Sequence, residues 1–367
     1  MIYQQSVFEP WPIESESVQA VITSPPYYAL RKYDIPDVII GGDKDCKHEF
    51  DIEQFKTKNQ VDYSNSGLKN DGRLEINRVT TNRNSKFNEQ ENLYKSGICI
   101  YCNAWQGQYG LEPTPQMYVE HTLLWAKEAW RVLRNDGVFF LNIADSYAGS
   151  GGASGDYNSG GLREGQPKYK QCKSNYHSKC QLLIPHRVAI ALVDAGWTLR
   201  NTVVWHKTNA MPESVTDRFS KKYEYIFMFT KQEKYYFDLD AIREKCSSVN
   251  RLRDRNSELS NNGYVGDSFS KGERPEQHPL GKNPGDLWSI PTQPSSEKHY
   301  AMWPERLVER MVKCSTKAGD IVLDPFCGSG STLKVAEQLN RKGIGIDLGY
   351  HEISNRRTCK IQKEMFV

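Results

Sequence analysis

No apolar run in this sequence of 367 residues approaches the roughly 18–20 residues that a membrane-spanning helix needs. The first residues also lack the succession of basic, apolar and small residues that marks a secretory signal. An excess of charge of one sign is missing too, because 48 Lys and Arg stand against 45 Asp and Glu. The resulting net charge of +3 is too small to argue for a nucleic-acid partner. Together these absences predict a cytoplasmic protein without a membrane anchor.

The nine cysteines are odd in number and scattered, which argues against a disulfide framework. Two of the spacings are nevertheless typical of a metal site, namely Cys46-x-His48 and Cys99-x-x-Cys102. Cys-x-x-Cys is a common half-site for tetrahedral zinc, and the Cys/His pair would supply the other half of a closed, structural site. The long gap and the unusual second spacing leave a different interpretation open, in which these are four unlinked residues of a reduced protein.

The ordered segments alternate between strands and helices. Residues 17–22 predict a strand that two prolines stop, and residues 114–133 predict a helix with Thr114 as its N-cap. A turn at 135–137 then leads into a buried strand at 138–143, and a further helix is expected at 301–314. This alternation predicts an α/β domain with a doubly wound, mainly parallel sheet.

Two polar segments interrupt this pattern and predict insertions into one catalytic domain. The domain is expected at 1–40, 103–245 and 284–367, with a zinc-pinned insertion at 41–102 and a target-recognition insertion at 246–283. A Gly/Ser-rich loop also runs into a stretch with a single acid and six basic residues, Arg163, Lys168, Lys170, Lys173, Lys179 and Arg187. This stretch either follows a phosphate backbone or is an ordinary solvated loop.

The C-terminal region carries a ligand-binding pattern. The strand at 321–323 runs into the string Asp324-Pro-Phe-Cys-Gly-Ser-Gly-Ser-Thr332, and the strand that follows the next helix ends at Asp347. Glycines at a strand-to-helix turn let the backbone approach a ligand, and an acid after the next strand can accept hydrogen bonds from ribose hydroxyls. No Gly-Lys-Ser/Thr follows at the spacing of a phosphate cradle, so a ligand with a ribose and no pyrophosphate is expected.

The string Thr23-Ser24-Pro25-Pro26-Tyr27 suits chemistry on a base amine. The lone pair of an exocyclic amine on cytosine or adenine is delocalised into the ring, so its methylation needs acceptors that redirect the lone pair. The hydroxyl of Ser24 and the carbonyl of Pro25, held by the rigid diproline, can supply two acceptors. The ring of Tyr27 can stack on a base rotated out of the duplex. Taken alone, the string also suits a proline-stiffened turn.

Both strings together resemble the amino-methyltransferases of bacterial restriction–modification systems. That family has a catalytic (Asp/Asn/Ser)-Pro-Pro-(Tyr/Phe/Trp) loop and a cofactor loop of the kind seen at 324–332. Here the catalytic loop comes first and the cofactor loop follows about 300 residues later, which is the order of the β class. Further strings resemble the family, among them Trp205-His206-Lys207, Tyr223-Glu224-Tyr225 and His299-Tyr-Ala-Met-Trp-Pro304.

The resemblance implies a fold that binds S-adenosylmethionine and a role for each matching residue. Asp347 is expected to bind the ribose, and Ser24, Pro25, Pro26 and Tyr27 the target base. Cys327 occupies a variable place in the cofactor loop and is expected to have no nucleophilic role. The remaining residues expected to line the cofactor pocket are Thr23, His299, Ala301, Pro304, Asp324, Phe326, Gly328, Gly330 and Thr332.

The substrate implied by the resemblance is double-stranded DNA, with a cognate restriction endonuclease as a partner. The serine form of the loop is commoner among N4-cytosine enzymes, which makes N4 of cytosine the expected target and N6 of adenine the alternative. A DNA-binding module with a degenerate active site is a third interpretation. Whether the protein is a monomer or a homodimer stays open.

Overall fold

The computed structural model describes residues 1–33, 35–54, 93–148, 157–158, 161–162, 176–245, 278–293, 303–350 and 354. The chain divides into two compact units, one of Met1–Pro36 with Gln108–Val367 and one of Asp37–Gly107. Residues 246–277 of the expected target-recognition insertion lie outside the described residues. The same holds for His299, Ala301 and most of the basic stretch. Within the described part of the chain, no helix combines the length and apolarity needed to cross a membrane.

The α-helices of the described residues are α1 (Pro115–Val132), α2 (Ile184–Asp194), α3 (Glu305–Ser315) and α4 (Ser331–Gln338), and a short 3-10 helix spans Asp240–Ile242. The strands are β1 (Ile2–Tyr3), β2 (Val18–Thr23), β3 (Val38–Ile40), β4 (Phe50–Gln54), β5 (Leu93–Cys99), β6 (Trp105–Gly107), β7 (Leu133–Ile143), β8 (Tyr157–Asn158), β9 (Gly161–Leu162), β10 (Thr198–His206), β11 (Tyr223–Thr230), β12 (Leu287–Ser289), β13 (Ile321–Asp324) and β14 (Lys342–Ile346).

The larger unit is built on an eight-stranded sheet in the order β1-β14-β13-β2-β7-β11-β10-β12. Strand β11 runs antiparallel to both of its neighbours, and the other pairs are parallel. Alternate side chains of the central strands pack against α3 and α4 in one core cluster. On the opposite face, Phe139 contacts Trp125 of α1, with ring centroids 6.1 Å apart. Helices therefore cover both faces, and the expected doubly wound, mainly parallel α/β fold is confirmed.

Local chemistry explains where the elements begin. The side chain of Thr114 accepts a hydrogen bond from the backbone N–H of Met117, so it caps α1 as expected. The helix expected from residue 301 instead begins at Glu305, and that part of the prediction is wrong. Pro304 is its N-cap in an extended conformation. A proline also disfavours helical geometry in the residue before it, so the helix does not extend back through residue 303.

The turn expected at 135–137 lies within β7. Against β2, Val18 pairs with Leu133 but Ala20 pairs with Val138, so the register between the two strands shifts at the residues expected to form the turn. In the smaller unit, β3, β6, β5 and β4 form an antiparallel four-stranded sheet in that order. Strands β8 and β9 form a separate antiparallel pair.

Candidate active site

The two strings singled out in the sequence come together at one edge of the large sheet. Strand β2 ends at Thr23, directly before Ser24-Pro25-Pro26-Tyr27, and its parallel neighbour β13 ends at Asp324, directly before the glycine-rich loop. Because parallel strands place their carboxyl ends at the same edge, both loops leave the sheet side by side. Thr23 and Asp324 are 301 residues apart in the sequence, and the pairing of β2 with β13 brings them into contact.

Asp324 connects these two loops through hydrogen bonds to both. One of its carboxylate oxygens accepts hydrogen bonds from the Thr23 hydroxyl at 2.7 Å and from the Phe326 backbone N–H at 3.1 Å. The other accepts from the Thr332 hydroxyl at 2.6 Å. Burial raises the pKa of Asp324 to about 6, and these donors act in the opposite direction. The carboxylate therefore holds the end of β2 and both ends of the cofactor loop together.

Asp347 follows β14 and holds the middle of the same loop. It accepts the backbone N–H of Gly328 at 2.8 Å on one oxygen and that of Gly349 at 2.9 Å on the other. The second oxygen also accepts the backbone N–H of Tyr350 at 2.5 Å, so the carboxylate is fixed beside the loop at the carboxyl end of β14. The sequence-based expectation for Asp347 is compatible with this position.

The glycine-rich turn requires glycine where it passes close to another segment. Gly330 has φ +77° and is the N-cap of α4. A Cβ at this position would lie 2.2 Å from the Ser354 hydroxyl oxygen. Cys327, in the same turn, is buried against Gly345 of β14, where an added Cβ would meet its sulfur at 2.7 Å. Burial raises the pKa of the Cys327 thiol well above its ordinary value, as expected of a packing residue.

The ring of Phe326 is half-buried, with one side held by other aromatic rings. Its centroid lies 5.6 Å from that of Tyr109 in a stacked arrangement and 5.2 Å from that of Trp125 in an edge arrangement. Among the residues expected before the loop, only Pro304 is described, and it is buried at the start of α3. Glu305 beside it pairs with Lys334 of α4 at 2.6 Å, which joins α3 to the helix that follows the loop.

The other string is anchored through its backbone. Tyr118 of α1 donates its hydroxyl to the Pro26 carbonyl at 3.0 Å, and the Ala29 N–H donates to the Gly110 carbonyl at 2.7 Å. Within the described part of the chain, the carbonyl of Pro25 shows no such bond. The loop is therefore held through the Pro26 carbonyl, and the neighbouring carbonyl of Pro25 is not used as an acceptor in holding it.

Beyond the string itself, Ser24 and Tyr27 belong to a polar network that the sequence-based analysis missed. The hydroxyls of Ser24 and Tyr27 lie 3.1 Å apart, and that of Tyr27 lies 2.8 Å from Asn142 Oδ1 of β7 and 2.8 Å from Glu224 Oε2 of β11. Glu224 also pairs with Lys207. Burial and the Glu224 carboxylate raise the pKa of the Tyr27 hydroxyl well above its ordinary value, so it remains a neutral donor.

All three of these additional residues had a signal in the sequence. Glu224 and Lys207 stand in the strings that resemble the family, although no role was assigned to them. Asn142 is a polar residue in the otherwise apolar run 138–143, which is an unusual position for an amide. Which groups they face depends on the pairing of β7 with β11, and this pairing has no local signature in the sequence.

In the smaller unit, the side chains of Cys46, His48, Cys99 and Cys102 converge. Their ligand atoms all lie within 4.8 Å of one another. The Sγ atoms of Cys46 and Cys99 are 3.9 Å apart, and Cys102 Sγ is 3.4 Å from His48 Nδ1.

Comparisons with known proteins agree with this geometry. A family model described as DNA methylase matches residues 18–356. The type II methyltransferase M.Cfr9I of Citrobacter freundii is 33% identical over 241 residues, covering 66% of this chain and 70% of that protein. M.SmaI of Serratia marcescens is 32% identical over 270 residues, covering 72% of this chain and 81% of that one.

Among solved structures, the PvuII DNA methyltransferase, described as cytosine-N4-specific, aligns with a TM-score of 0.52. The alignment covers 97% of this chain and 85% of that one at 17% sequence identity. At this identity the likeness establishes a shared fold.

Proposed function

The chain belongs to the DNA methylase family that modifies N6 of adenine and N4 of cytosine, and on that basis we propose that it transfers a methyl group from S-adenosylmethionine to N4 of cytosine in a short, specific DNA sequence. The observation that carries this proposal is the Thr23–Asp324 hydrogen bond of 2.7 Å, which holds the base-binding string beside the cofactor loop. The methyl donor and the acceptor amine would then meet at one edge of the sheet.

Ser24 is proposed to accept a hydrogen bond from the amine. The acceptors available to the hydroxyl protons of Ser24 and Tyr27 support that role. The amide nitrogen of Asn142 donates to the Tyr225 carbonyl at 3.0 Å, so its oxygen is the atom that faces Ser24 and Tyr27. The Tyr27 proton goes preferentially to the Glu224 carboxylate, because bonds to ionised acceptors are the stronger ones. The Ser24 proton can then go to Asn142 Oδ1, 3.4 Å away, which leaves the lone pairs of Ser24 for the amine.

The second acceptor would be the Pro25 carbonyl. Two acceptors on one amine draw its hydrogens into fixed directions, which turns the nitrogen lone pair out of the plane of the base. The target base would have to leave the duplex to reach these groups, since its amine is otherwise paired. The ring of Tyr27, oriented through its hydroxyl, would support the extruded base by stacking.

The residues of the cofactor loop suit S-adenosylmethionine. When bound, this cofactor supplies an electrophilic methyl group on a sulfonium. Asp347 would accept hydrogen bonds from its ribose hydroxyls, and the half-exposed ring of Phe326 offers an apolar surface. Asp324 and Thr332 would act one step removed, by fixing the shape of the loop through their 2.6 Å hydrogen bond. Pro304, and outside the described residues His299 and Ala301, are proposed to complete the pocket.

Cytosine is preferred over adenine as the target for two reasons. The first residue of the catalytic string is Ser24, and the serine form is commoner among N4-cytosine enzymes. In addition, the PvuII methyltransferase that shares the fold is described as cytosine-N4-specific. Both amines need the same pair of acceptors, so N6 of adenine is the alternative product that an experiment has to exclude.

The test is to express the chain in cells whose DNA carries no other methylation and to analyse that DNA in two ways. Methylation-aware single-molecule sequencing gives the recognition site, and mass spectrometry of the nucleosides gives the base. We expect N4-methylcytosine at one short sequence. N6-methyladenine as the only product would overturn the choice of base. An unmodified genome, together with retained cofactor binding by the purified protein, would support the DNA-binding module instead.

A variant tests the role of Ser24 in the same assay. Ser24→Ala is expected to lower turnover by about 100-fold or more, as the loss of one oriented hydrogen-bonding group does in other enzymes. Cofactor binding, measured by calorimetry, should be unchanged. Ser17→Ala is the matched control, since that hydroxyl bonds to the Glu14 carbonyl outside the site. Full activity of Ser24→Ala would show that Ser24 is not the acceptor.

A further inference from the structure

The smaller unit, Asp37–Gly107, contains a cluster of ligands that methyl transfer does not use. We propose that Cys46, His48, Cys99 and Cys102 bind one structural zinc ion. The first two residues precede β4, and the other two lie at and after the end of β5. The sequence places these pairs about 50 residues apart, and folding brings their ligand atoms within 4.8 Å of one another.

The distances between the ligand atoms suit a tetrahedral ion. With Zn–S bonds of about 2.3 Å and Zn–N bonds of about 2.0 Å, two sulfurs stand about 3.8 Å apart and a sulfur and a nitrogen about 3.5 Å apart. The corresponding distances are 3.9 Å between Cys46 and Cys99 and 3.4 Å between Cys102 and His48. Three thiols and one imidazole are a donor set that zinc accepts, and all four positions come from the protein. No position is left for a substrate, so the site is structural.

A tight turn of the chain joins Cys99 to Cys102. Asn103 closes the turn at φ +60°, and its N–H donates to the Cys99 carbonyl at 3.0 Å. The turn therefore keeps the two thiols of this half-site close to each other.

Gly42 shows how closely the chain surrounds the cluster. This residue has φ +71°, and a Cβ at its position would lie 2.7 Å from Cys102 Sγ and 2.5 Å from the Ala104 Cβ. The loop that leads to Cys46 therefore passes directly over the sulfur of Cys102. A side chain at position 42 would therefore force the Cys102 sulfur, Ala104 or the loop itself to move.

The small apolar core of the smaller unit is a further reason to expect a stabilising metal ion. Among its described residues, the buried apolar side chains are Ile40, Cys99, Ala104 and Trp105. Units below about 70–80 residues seldom gain enough from an apolar core alone, and a structural metal is one of the usual remedies. Zinc would join the segment before β4 to the turn after β5, and so hold both strands at the end where Phe50 pairs with Cys99.

Metal analysis of the purified full-length chain, without a histidine tag, tests the proposal directly. We expect one zinc per chain by elemental mass spectrometry. Exchange for cobalt should give the visible absorption bands of a tetrahedral ion together with a thiolate charge-transfer band. Absence of stoichiometric zinc, or a cobalt spectrum of an octahedral ion without thiolate bands, would overturn the proposal. Neither measurement depends on methyl transfer, so the proposed function can fail without affecting this one.

Variants assign the ligands. Cys46→Ser and Cys102→Ser should each reduce zinc content at least several-fold, and Gly42→Ala should do so without removing a ligand. The matched control is Cys180→Ser, because Cys180 is an exposed thiol outside the unit. Unchanged zinc content in the two ligand variants would contradict the assignment. If a variant does not fold, the cobalt spectrum of the wild-type chain and the protection of its thiols from alkylation decide the question.

Discussion

Asp324 illustrates how one side chain can serve both the fold and the candidate site. It is buried, carries three hydrogen bonds and joins two loops that are distant in the sequence. Burial of a carboxylate costs free energy, and the bonds from Thr23, Thr332 and Phe326 offset part of this cost. The balance leaves its pKa at about 6, above the usual value for aspartate.

This pKa predicts a dependence of stability on pH. Between pH 4 and 6 the folded state binds more protons at Asp324 than the unfolded state does, so the free energy of unfolding falls as pH rises. The contribution approaches about 3 kcal/mol if the whole shift is realised. In Asp324→Asn this contribution is absent, and the stability curve over the same range should be flatter than that of the wild type.

Urea denaturation at a series of pH values measures the difference between the two curves. Other buried carboxyl groups contribute equally to both, so the comparison isolates position 324. Asp194→Asn, at an exposed aspartate, should follow the wild-type curve. Parallel curves for the wild type and Asp324→Asn would contradict the predicted shift.

At the scale of elements, helix α2 depends on a residue outside it. Leu183, its N-cap, has φ +57° and provides no capping bond of its own. The carboxylate of Asp145, which follows β7, instead accepts the N–H groups of Leu183 at 3.1 Å and Ile184 at 2.9 Å. It also accepts the Gln181 amide at 2.8 Å. A polar residue at the carboxyl end of a strand thus has a structural task here.

Asp145→Ala is therefore expected to lower the free energy of unfolding by at least about 2 kcal/mol, because it leaves helix N–H groups without an acceptor. Asp145→Asn, which keeps one acceptor oxygen, should lose about half as much. Chemical denaturation measures both, with Asp194→Ala at the exposed end of the same helix as the control. A loss equal to that of the control would mean that Asp145 does not cap α2.

At the scale of the whole molecule, the two units are proposed to draw their stability from different ligands. The cofactor loop lies in the larger unit, and the four proposed zinc ligands lie in the smaller one. A ligand stabilises the unit that binds it, by about 2.7 kcal/mol at a free concentration 100 times its dissociation constant. The two ligands should then act on different parts of an unfolding profile.

Scanning calorimetry with and without each ligand tests this expectation. S-adenosylmethionine should raise the temperature of one transition, and removal of zinc by a chelator should lower or abolish another. Limited proteolysis after chelation should cut within 37–107 and spare the larger unit. One transition that responds equally to both ligands would contradict separate stabilisation.

Local signals in the sequence were sufficient for much of this picture. Thr114 and the proline after it predicted the start of α1, and the glycines and acid around 324–347 predicted a ribose-binding loop, because capping and turn chemistry act over a few residues. The family resemblance, which has the same local basis, led to the DNA methylase assignment that the comparisons confirm. The prediction for α3 began four residues too early, although Pro304 disfavours helical geometry in the residue before it.

Strand order and long-range contacts had to come from the folded structure. The placement of β2 beside β13 brings Ser24 next to the cofactor loop, and the placement of β7 beside β11 brings Asn142 and Glu224 to Tyr27. The convergence of Cys46 and His48 with Cys99 and Cys102 is of the same kind. Such pairings depend on the burial of whole sheet faces, a cooperative property that no short stretch of residues encodes.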